Sequence, residues 1–429
     1  PEAGIDLFLE KLVQETEKEH EDILEQADET DAVFGELYSW YLRNPEYRSR
    51  VQKLVQSAFA GKPKDIISQS VAKALYGEVS PYSATRLERF AACAFAHFLQ
   101  YGMKLTERVE YEFKPMDMGN VMHEALESFA EEVRKRGMKW TELTEQERNE
   151  IADRCLDNIV ADYGNTVLKS SARNEYMIER TRRILRRTVW ALQKQLEQGE
   201  FQPEGFEVTF GGGRIDRVDI MEDQNKVYVK VIDYKTGNTS FDLVYLYHGL
   251  QLQLMIYLDG ALRVEQKKYP DKEIIPAGVF YYNIKDPMIQ EKIDADVEAV
   301  SAGLMKELKM NGLAQADPEL VYRMDSSLGS IPVAFNKDGS FRKNSSVADR
   351  TQFAVLGRYV RTKIEKIRSS ILEGDAEVSP YELGKKNACT YCPYMTVCGF
   401  DRRLSGYEFR RLKNFSDEEL WKAFDREAE

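Results

Sequence analysis

The sequence predicts an α/β fold in which a small mixed sheet is flanked by helices. Two observations carry this prediction. Alternating and apolar runs, separated by a glycine corner and polar turns, begin near residue 206, and helical patterns precede and follow them. The length of 429 residues allows about two to four domains with a substantial core.

The order of the elements supports this fold class, because a helix precedes two strands and a helix and a further strand come after them. The sequence around Asp338-Gly339 is typical of a hairpin turn. The predicted elements are helices throughout 1–79, an aromatic amphipathic helix carrying Cys93, a helix over 119–135, strands in "FEVTFGGGRIDRVDIM" and "KVYVKVIDY", a helix in "GLQLQLMIYLDGALRVE", a strand in "AGVFYYNIK" and a long helix over about 350–373.

Changes in pattern along the chain divide it into segments. We expect a helical segment over 1–79, a first-cysteine helix over 80–115, a core over 116–300 with a charged helical insertion at 137–200, a hairpin and long helix over 301–385, and a cysteine cluster with a tail over 386–429.

Composition describes an ordinary globular protein, with 43% hydrophobic residues and 11% aromatic residues. No apolar run approaches the ~20 residues that a membrane helix needs, and no charged-then-apolar leader is present. We therefore expect a cytoplasmic protein with no membrane partner.

The net charge of −12 argues against a nucleic-acid partner, but only weakly, since such proteins need only a local basic track. One candidate track is a predicted helix with five cations at near-helical spacing. An ordinary solvated helix face explains the same pattern equally well, and both interpretations stay open. The five cations are Arg182, Arg183, Arg186, Arg187 and Lys194.

The stretch "KVIDYKTG" places Asp233 and Lys235 at the end of an apolar strand. Asp216, at the end of the preceding strand, can reach the same sheet edge if the two strands are antiparallel. Two converging carboxylates repel each other unless a cation lies between them, and oxygen ligands suit Mg²⁺ or Mn²⁺. With Lys235 beside a metal-bound water, these are the parts for hydrolysing a phosphodiester. Asp219 is the weaker alternative to Asp216.

Two further pairs of residues are each separated by four positions on a predicted helix. His123 and Glu127 are four residues apart, so one helix face presents both of them. Gln253 and Tyr257 repeat that spacing on the helix after the D-x-K strand.

The order H-x-x-x-E, I-D, D-Y-K, Q-x-x-x-Y resembles the RecB-type branch of the PD-(D/E)xK nucleases over about residues 116–285. The resemblance implies a restriction-endonuclease-like fold. It also implies that His123, Asp216, Asp233 and the backbone carbonyl of Tyr234 bind the metal. Lys235 would serve catalysis, with Gln253 and Tyr257 supporting the site and DNA, and Glu127 would act beside the metal ligands.

Three cysteines, Cys389, Cys392 and Cys398, lie in one short loop, and Cys93 is nearly 300 residues earlier. Thiolates at such spacing bind zinc or an iron–sulfur centre, and both stay open on spacing alone. Cys155 has no partner in the pattern and is interpreted as an ordinary helix residue.

The cysteine pattern is similar to the iron–sulfur staple of AddB-like nucleases, and this resemblance spans about 80–429. It implies a [4Fe–4S] cluster on the four cysteines and an AddA-type helicase/nuclease subunit as partner. It implies an exodeoxyribonuclease that degrades single-stranded DNA during the processing of double-strand ends for recombination repair. Residues 1–79 would end a helicase-like region, although the chain has no G-x-x-x-x-G-K-[ST] phosphate loop.

Two alternatives remain. One is a stand-alone nuclease of the CRISPR-associated or lambda-exonuclease type. The other is a DNA-end binding module with a degenerate site, against which the complete set of Asp216, Asp233 and Lys235 argues.

Overall fold

A computed structural model describes residues 29–58, 66–77, 83–106, 115–162, 171–211, 213–289, 296–404 and 406–428. The helical prediction for residues 1–28 lies outside these ranges. The chain forms two compact units: the first takes its described residues from Pro1–Glu78, Ala92–Thr106 and Ser369–Asn414, and the second takes them from Val79–Ala91, Glu107–Arg368 and Phe415–Glu429.

The described helices include those predicted over 119–135, in "GLQLQLMIYLDGALRVE" and over 350–373, together with several that were not predicted. In chain order they are α1 (Glu29–Arg43), α2 (Pro45–Ala58), α3 (Gln69–Tyr76), α4 (Ala84–Ala92), α5 (Ala94–His97), α6 (Pro115–Lys135), α7 (Glu145–Asp162), α8 (Ala172–Glu197), α9 (Leu243–Tyr247), α10 (Gln253–Lys268), α11 (Val297–Glu307), α12 (Pro318–Met324), α13 (Arg350–Glu373), α14 (Met395–Cys398) and α15 (Asp417–Ala428).

The second unit is built on a mixed six-stranded sheet, and the predicted fold class is confirmed. Its strands are β1 (Gln202–Phe210), β2 (Gly213–Asp223), β3 (Lys226–Lys235), β4 (Glu273–Asn283), β5 (Asn311–Gln315) and β6 (Val347–Ala348), and they lie in that order. Neighbours are antiparallel from β1 to β3 and between β4 and β5. The β3–β4 and β5–β6 pairs are parallel, and α10 forms the crossover between β3 and β4.

Helices cover both faces of this sheet. The insertion helices α7 and α8 share one core with α6, which includes Phe129 and reaches Ile232 and Tyr234 of β3. Helix α10 packs against β3 and β4. Because successive strand residues point to opposite faces, Asp233 and Lys235 point away from the core that holds Ile232 and Tyr234.

The predicted turn at Asp338-Gly339 is present. Gly339 has a φ of 83°, a backbone conformation that is strained for a residue with a side chain. Phe335 and Phe341, on either side of the turn, form an antiparallel bridge. In the described ranges, no helix is both long and apolar enough to cross a membrane.

The first unit joins pieces that are distant in sequence. Tyr41 and Val51 form a small core between α1 and α2. Two of these pieces, which precede and follow residues 107–368 in the sequence, are joined by a backbone hydrogen bond. The Phe95 N–H donates to the Glu377 carbonyl at 2.9 Å. Three short strands complete the unit, namely β7 (Tyr381–Leu383), β8 (Lys386–Asn387) and β9 (Arg410–Arg411), in the order β8-β7-β9.

Candidate functional site

The D-x-K strand and its neighbour bring two aspartates together. Arg217 of β2 pairs with Ile232 of β3, so the register, extended by one residue, places Asp216 opposite Asp233. Asp216 lies near the beginning of β2 rather than at a strand end. In an antiparallel pair, that part of β2 adjoins the end of β3. The Tyr234 N–H donates to Asp216 Oδ2 at 2.7 Å, which fixes the carboxylate against β3.

A third acid, Glu207 of β1, extends this row. The pairs Phe206–Arg217 and Val208–Ile215 bracket Glu207 and Asp216, so the two acids are cross-strand neighbours. Glu207 has a φ of 49°, a conformation that is strained for a residue with a side chain. Sequence reasoning missed Glu207, because β1 also contains Glu204 and nothing local distinguishes one acid from the other.

The side chain of His123, on α6, lies beside this row of acids. Its Nδ1 atom is 3.3 Å from Asp216 Oδ2 and 3.8 Å from Glu207 Oε1. Among the residues the structure describes, one ligand atom each from His123, Glu207 and Asp216 lie within 4.8 Å of one another. Burial lowers the pKa of His123, but hydrogen bonds and charges from Asp216 and Glu207 outweigh this effect and raise it to about 10. The imidazole of His123 is therefore protonated at neutral pH, with Asp216 and Glu207 beside it.

Asp233 is almost fully buried and pairs with Lys235, whose Nζ lies 2.5 Å from Asp233 Oδ2. Burial, followed by the charge of Asp216, raises the pKa of Asp233 to about 7, and Lys235 and His123 oppose the shift. The Lys235 ammonium also lies 5.4 Å from the centre of the Tyr281 ring, on β4.

The predicted Gln253 and Tyr257 pair joins this lysine. Lys235 Nζ donates to Gln253 Oε1 at 2.8 Å, and Gln253 Nε2 donates to the Tyr257 hydroxyl at 2.9 Å. One face of α10 therefore holds the amine in place. Helix α10 takes its own N-terminal support from Glu88, a partly buried acid that sequence reasoning also missed.

Glu127 follows His123 by about one helical turn and is partly exposed. Burial and then the charge of Glu207 raise its pKa, while Arg214 lowers it. Glu127 contributes no atom to the close group of His123, Glu207 and Asp216.

Asp219, the weaker alternative to Asp216, has a different role. Its carboxylate is fully buried and accepts from the Arg217 guanidinium at 2.5 and 2.9 Å, and it pairs with Lys230 at 2.9 Å. Arg217 also lies over the rings of Trp140 and Phe206. Asp219 therefore neutralises two buried cations.

The basic face of α8 is occupied by ion pairs within the second unit. Arg182 donates to Asp157 at 2.7 Å, and Arg183 donates to Asp286 at 2.5 Å. This pairing favours an ordinary charged face over a track for nucleic acid. The remaining three cations also have acidic neighbours: Arg186 pairs with Asp153, Arg187 with Asp286 and Lys194 with Glu197.

The cysteines predicted to act together line one cavity in the first unit. Its other lining residues are mainly apolar, among them Phe95 and Tyr394. Burial raises the pKa of Cys93, and burial together with the charge of Cys93 raises that of Cys389 to about 11. Thiols in such surroundings ionise only with a cation beside them. The four lining cysteines are Cys93, Cys389, Cys392 and Cys398.

Cys93 lies between two helices, and Cys155 lies inside one. The prediction of a single helix through Cys93 is wrong: α4 ends at Ala92, Cys93 is extended with φ −165° and ψ 118°, and α5 begins at Ala94. This break turns Cys93 toward the cysteine loop. Cys155 is buried inside α7, among the core of α6 to α8.

Comparisons with known proteins identify relatives of this chain. The model of the PD-(D/E)XK nuclease superfamily matches residues 81–399. Over 425 residues the chain is 41% identical to the B subunit of the ATP-dependent helicase/deoxyribonuclease of Lachnoclostridium phytofermentans, covering 94% of this chain and 36% of that protein. It is 33% identical to the corresponding protein of a Thermoanaerobacter species (94% and 37%) and 33% identical to that of Clostridium acetobutylicum (93% and 36%). The chain thus spans little more than a third of the length of these relatives.

Proposed function

The chain belongs to the PD-(D/E)XK nuclease superfamily, and on that premise we propose that it hydrolyses phosphodiester bonds in single-stranded DNA as the nuclease part of an AddAB-type helicase–nuclease. One observation carries the proposal: Glu207, Asp216 and Asp233 form a row across three neighbouring strands, with Lys235 beside it.

The donor set fits a divalent cation. Ligand atoms of His123, Glu207 and Asp216 lie within 4.8 Å of one another, and Asp233 lies opposite Asp216 in the strand register. The raised pKa of His123 supports a proton held between two acids when no metal is bound. A divalent cation would replace that proton. We propose that His123, Asp216, Asp233 and the Tyr234 carbonyl hold Mg²⁺ or Mn²⁺, with Glu207 as an additional neighbour. When bound, the cation supplies Lewis acidity and lowers the pKa of a coordinated water.

The protein's own groups have separate tasks in this proposal. Lys235, held between Asp233 and Gln253, lies where its ammonium can orient a nucleophilic water or stabilise charge on a phosphate oxygen. Gln253 and Tyr257 restrict the lysine to one position. Glu127 acts from outside the close ligand group, through its charge on Glu207.

The substrate and the partner are proposed from the relatives. Their names describe one subunit of an ATP-dependent helicase/deoxyribonuclease, which supports DNA as substrate and a helicase-bearing AddA-type subunit as partner. We propose that the chain works in the cytoplasm, as an exonuclease that degrades one strand while double-strand ends are processed.

The cysteine cavity fits a metal cluster. Four thiols surround an apolar space, and the raised pKa values of Cys93 and Cys389 require a cation for ionisation. We propose that Cys93, Cys389, Cys392 and Cys398 bind a [4Fe–4S] cluster. The cluster would join chain segments that precede and follow residues 107–368 in the sequence. Zinc is the alternative, and elemental analysis with visible absorbance near ~400 nm distinguishes the two.

The direct test is cleavage of end-labelled single-stranded DNA by the intact protein with Mg²⁺, with Mn²⁺ and with chelator. Metal-dependent release of short products from one end supports an exonuclease. Internal cuts in a circular single strand would contradict the exonuclease mode. No cleavage by the wild-type protein with its helicase partner present would contradict the function itself.

A further inference from the structure

Helix α10 begins without a cap of its own. The residue before it, Leu252, makes no side-chain cap bond. The first N–H groups of a helix have no partner within the helix, and leaving them unsatisfied in the interior is costly. Glu88 of α4 supplies the partner: its Oε1 accepts from the Leu252 N–H at 2.7 Å and from the Gln253 N–H at 3.0 Å.

Glu88 is an unusual choice for this task. Serine, threonine, asparagine or aspartate caps most helices from the position just before them, whereas Glu88 is 164 residues from Leu252. Its burial raises its pKa to about 7, against the opposing effect of the two backbone bonds and of Lys235. Placing an acid in this partly buried position costs solvation energy, and the contacts of Glu88 lead toward the reacting groups.

A continuous series of hydrogen bonds connects Glu88 with the D-x-K strand. Gln253, the first residue of α10, accepts from Lys235 Nζ at 2.8 Å through its side chain, while Glu88 binds the backbone N–H of the same residue. Lys235 in turn pairs with Asp233 at 2.5 Å. A shift at the start of α10 therefore moves the acceptor that orients the Lys235 amine.

We propose that Glu88 is a positioning residue of the nuclease reaction, one that holds the start of α10 so that Gln253 keeps Lys235 beside Asp233. This inference rests on the proposed function, because it assigns Glu88 a task in that same reaction. The two hydrogen bonds described for Glu88 go to backbone N–H groups of residues that are not proposed metal ligands. Its loss should therefore affect the chemical step and leave metal binding intact.

The test compares two replacements of similar size. Glu88→Gln keeps an oxygen that can accept both N–H bonds, whereas Glu88→Met fills the space without an acceptor. We expect Glu88→Met to lower kcat by about 10²-fold, since a displacement of about 1 Å in a reacting group can cost that much. Glu88→Gln should retain most of kcat, and KM for DNA and Mn²⁺ affinity, measured by calorimetry, should stay within about 2-fold in both variants.

A double-mutant cycle tests the route of the effect. If Glu88 acts through Gln253, the combination of Glu88→Met with Gln253→Ala should be no slower than Gln253→Ala alone. Asp325→Ala is the matched control, since Asp325 is a fully buried acid that accepts backbone N–H bonds from Ser327 and Ser330 elsewhere in the unit. Its loss should lower the midpoint of unfolding without changing kcat.

Three results would overturn the inference: an unchanged kcat in Glu88→Met, additive effects in the cycle, or a fall in Mn²⁺ affinity parallel to the fall in kcat. The failure of the proposed function gives a different result, since the wild-type protein would then not cleave DNA.

Discussion

The carboxylate of Asp216 accepts a hydrogen bond from the backbone N–H of Tyr234 at 2.7 Å. The same oxygen lies 3.3 Å from His123 Nδ1. The backbone of the neighbouring strand thus holds the carboxylate of Asp216 in place, as a site needs for a residue proposed to bind a metal ion.

Replacing Asp233 by its neutral amide should lower the rate of cleavage without lowering the stability of the fold. Asp233→Asn should lower the rate of single-strand cleavage by at least about 10²-fold, since it removes a proposed metal ligand. The metal-free variant should be at least as stable as the wild type, because it no longer has two buried carboxylates facing each other. Cleavage assays and urea unfolding without metal measure both effects. Near wild-type cleavage by Asp233→Asn would refute its assignment as a metal ligand.

Replacement of the lysine has a different expected result. Lys235→Ala should lose cleavage and still bind the metal.

The two residues on α6 should respond differently to metal. His123→Ala should raise the Mg²⁺ or Mn²⁺ concentration needed for half-maximal cleavage more than Glu127→Ala does, because only His123 has a ligand atom close to those of Asp216 and Glu207. Metal titration of both variants decides the question. Identical, wild-type-like curves would mean that His123 is a structural residue.

The proposed metal cluster should depend as much on Cys93 as on the cysteines of the loop. Cys93→Ala should lose metal and sulfide as fully as Cys392→Ala, since both line the same cavity. Cys155→Ala is the control, because Cys155 is buried in the other unit. Iron, zinc and sulfide analysis of the three proteins is the measurement. Full iron in Cys93→Ala would exclude it as a ligand.

If the proposed cluster links Cys93 to the cysteine loop, its loss should loosen the chain near both of these regions. A link that closes a long loop restricts the unfolded chain strongly, although strain can reduce the gain. In Cys93→Ala, proteolysis should increase near residue 93 and near residue 390. Because the Phe95–Glu377 backbone bond remains, we expect faster cutting and not complete unfolding. An unchanged digestion pattern in a cluster-free variant would argue against a stapling role.

The buried group around Asp219 should be important for stability. Asp219→Ala leaves Arg217 and Lys230 buried without their counter-charge, which should cost about 3–5 kcal/mol of the free energy of unfolding. Glu222→Ala, on the same strand, removes a half-exposed pair with Lys272 and should cost about 1 kcal/mol or less. Urea unfolding of both variants gives the comparison. Equal losses would show that Asp219 has no special role.

Glu88 should make stability depend on pH. Its pKa is raised from 4.5 to about 7 in the folded protein, so between these values the folded state binds more protons than the unfolded chain. The free energy of unfolding should therefore fall as pH rises from 4.5 to 7, by about 3 kcal/mol from this group, and level off above 7. Glu88→Gln should lack this slope. Parallel pH curves for both proteins, measured by urea unfolding, would contradict the assignment.

The sequence determined what depends on local pattern. Alternation and helical periodicity are properties of short windows, so they predicted the strands β1 to β4 and the helices α6, α10 and α13. The spacing of Asp233 with Lys235, and of Gln253 with Tyr257, is local in the same sense. The cysteine loop is also local, and only its partner Cys93 needed a resemblance to a known family.

The tertiary structure decided what depends on long-range packing. Glu207 enters the site because the β1–β2 register aligns it with Asp216 and its backbone adopts a left-handed conformation, and no periodicity encodes either condition. Burial against Arg217 and Lys230 assigned Asp219 to structure, leaving Asp216 for the site. Glu88 reaches α10 across 164 residues. Such contacts arise only when separate elements pack together, because burial and distance are properties of the folded chain and not of any window of its sequence.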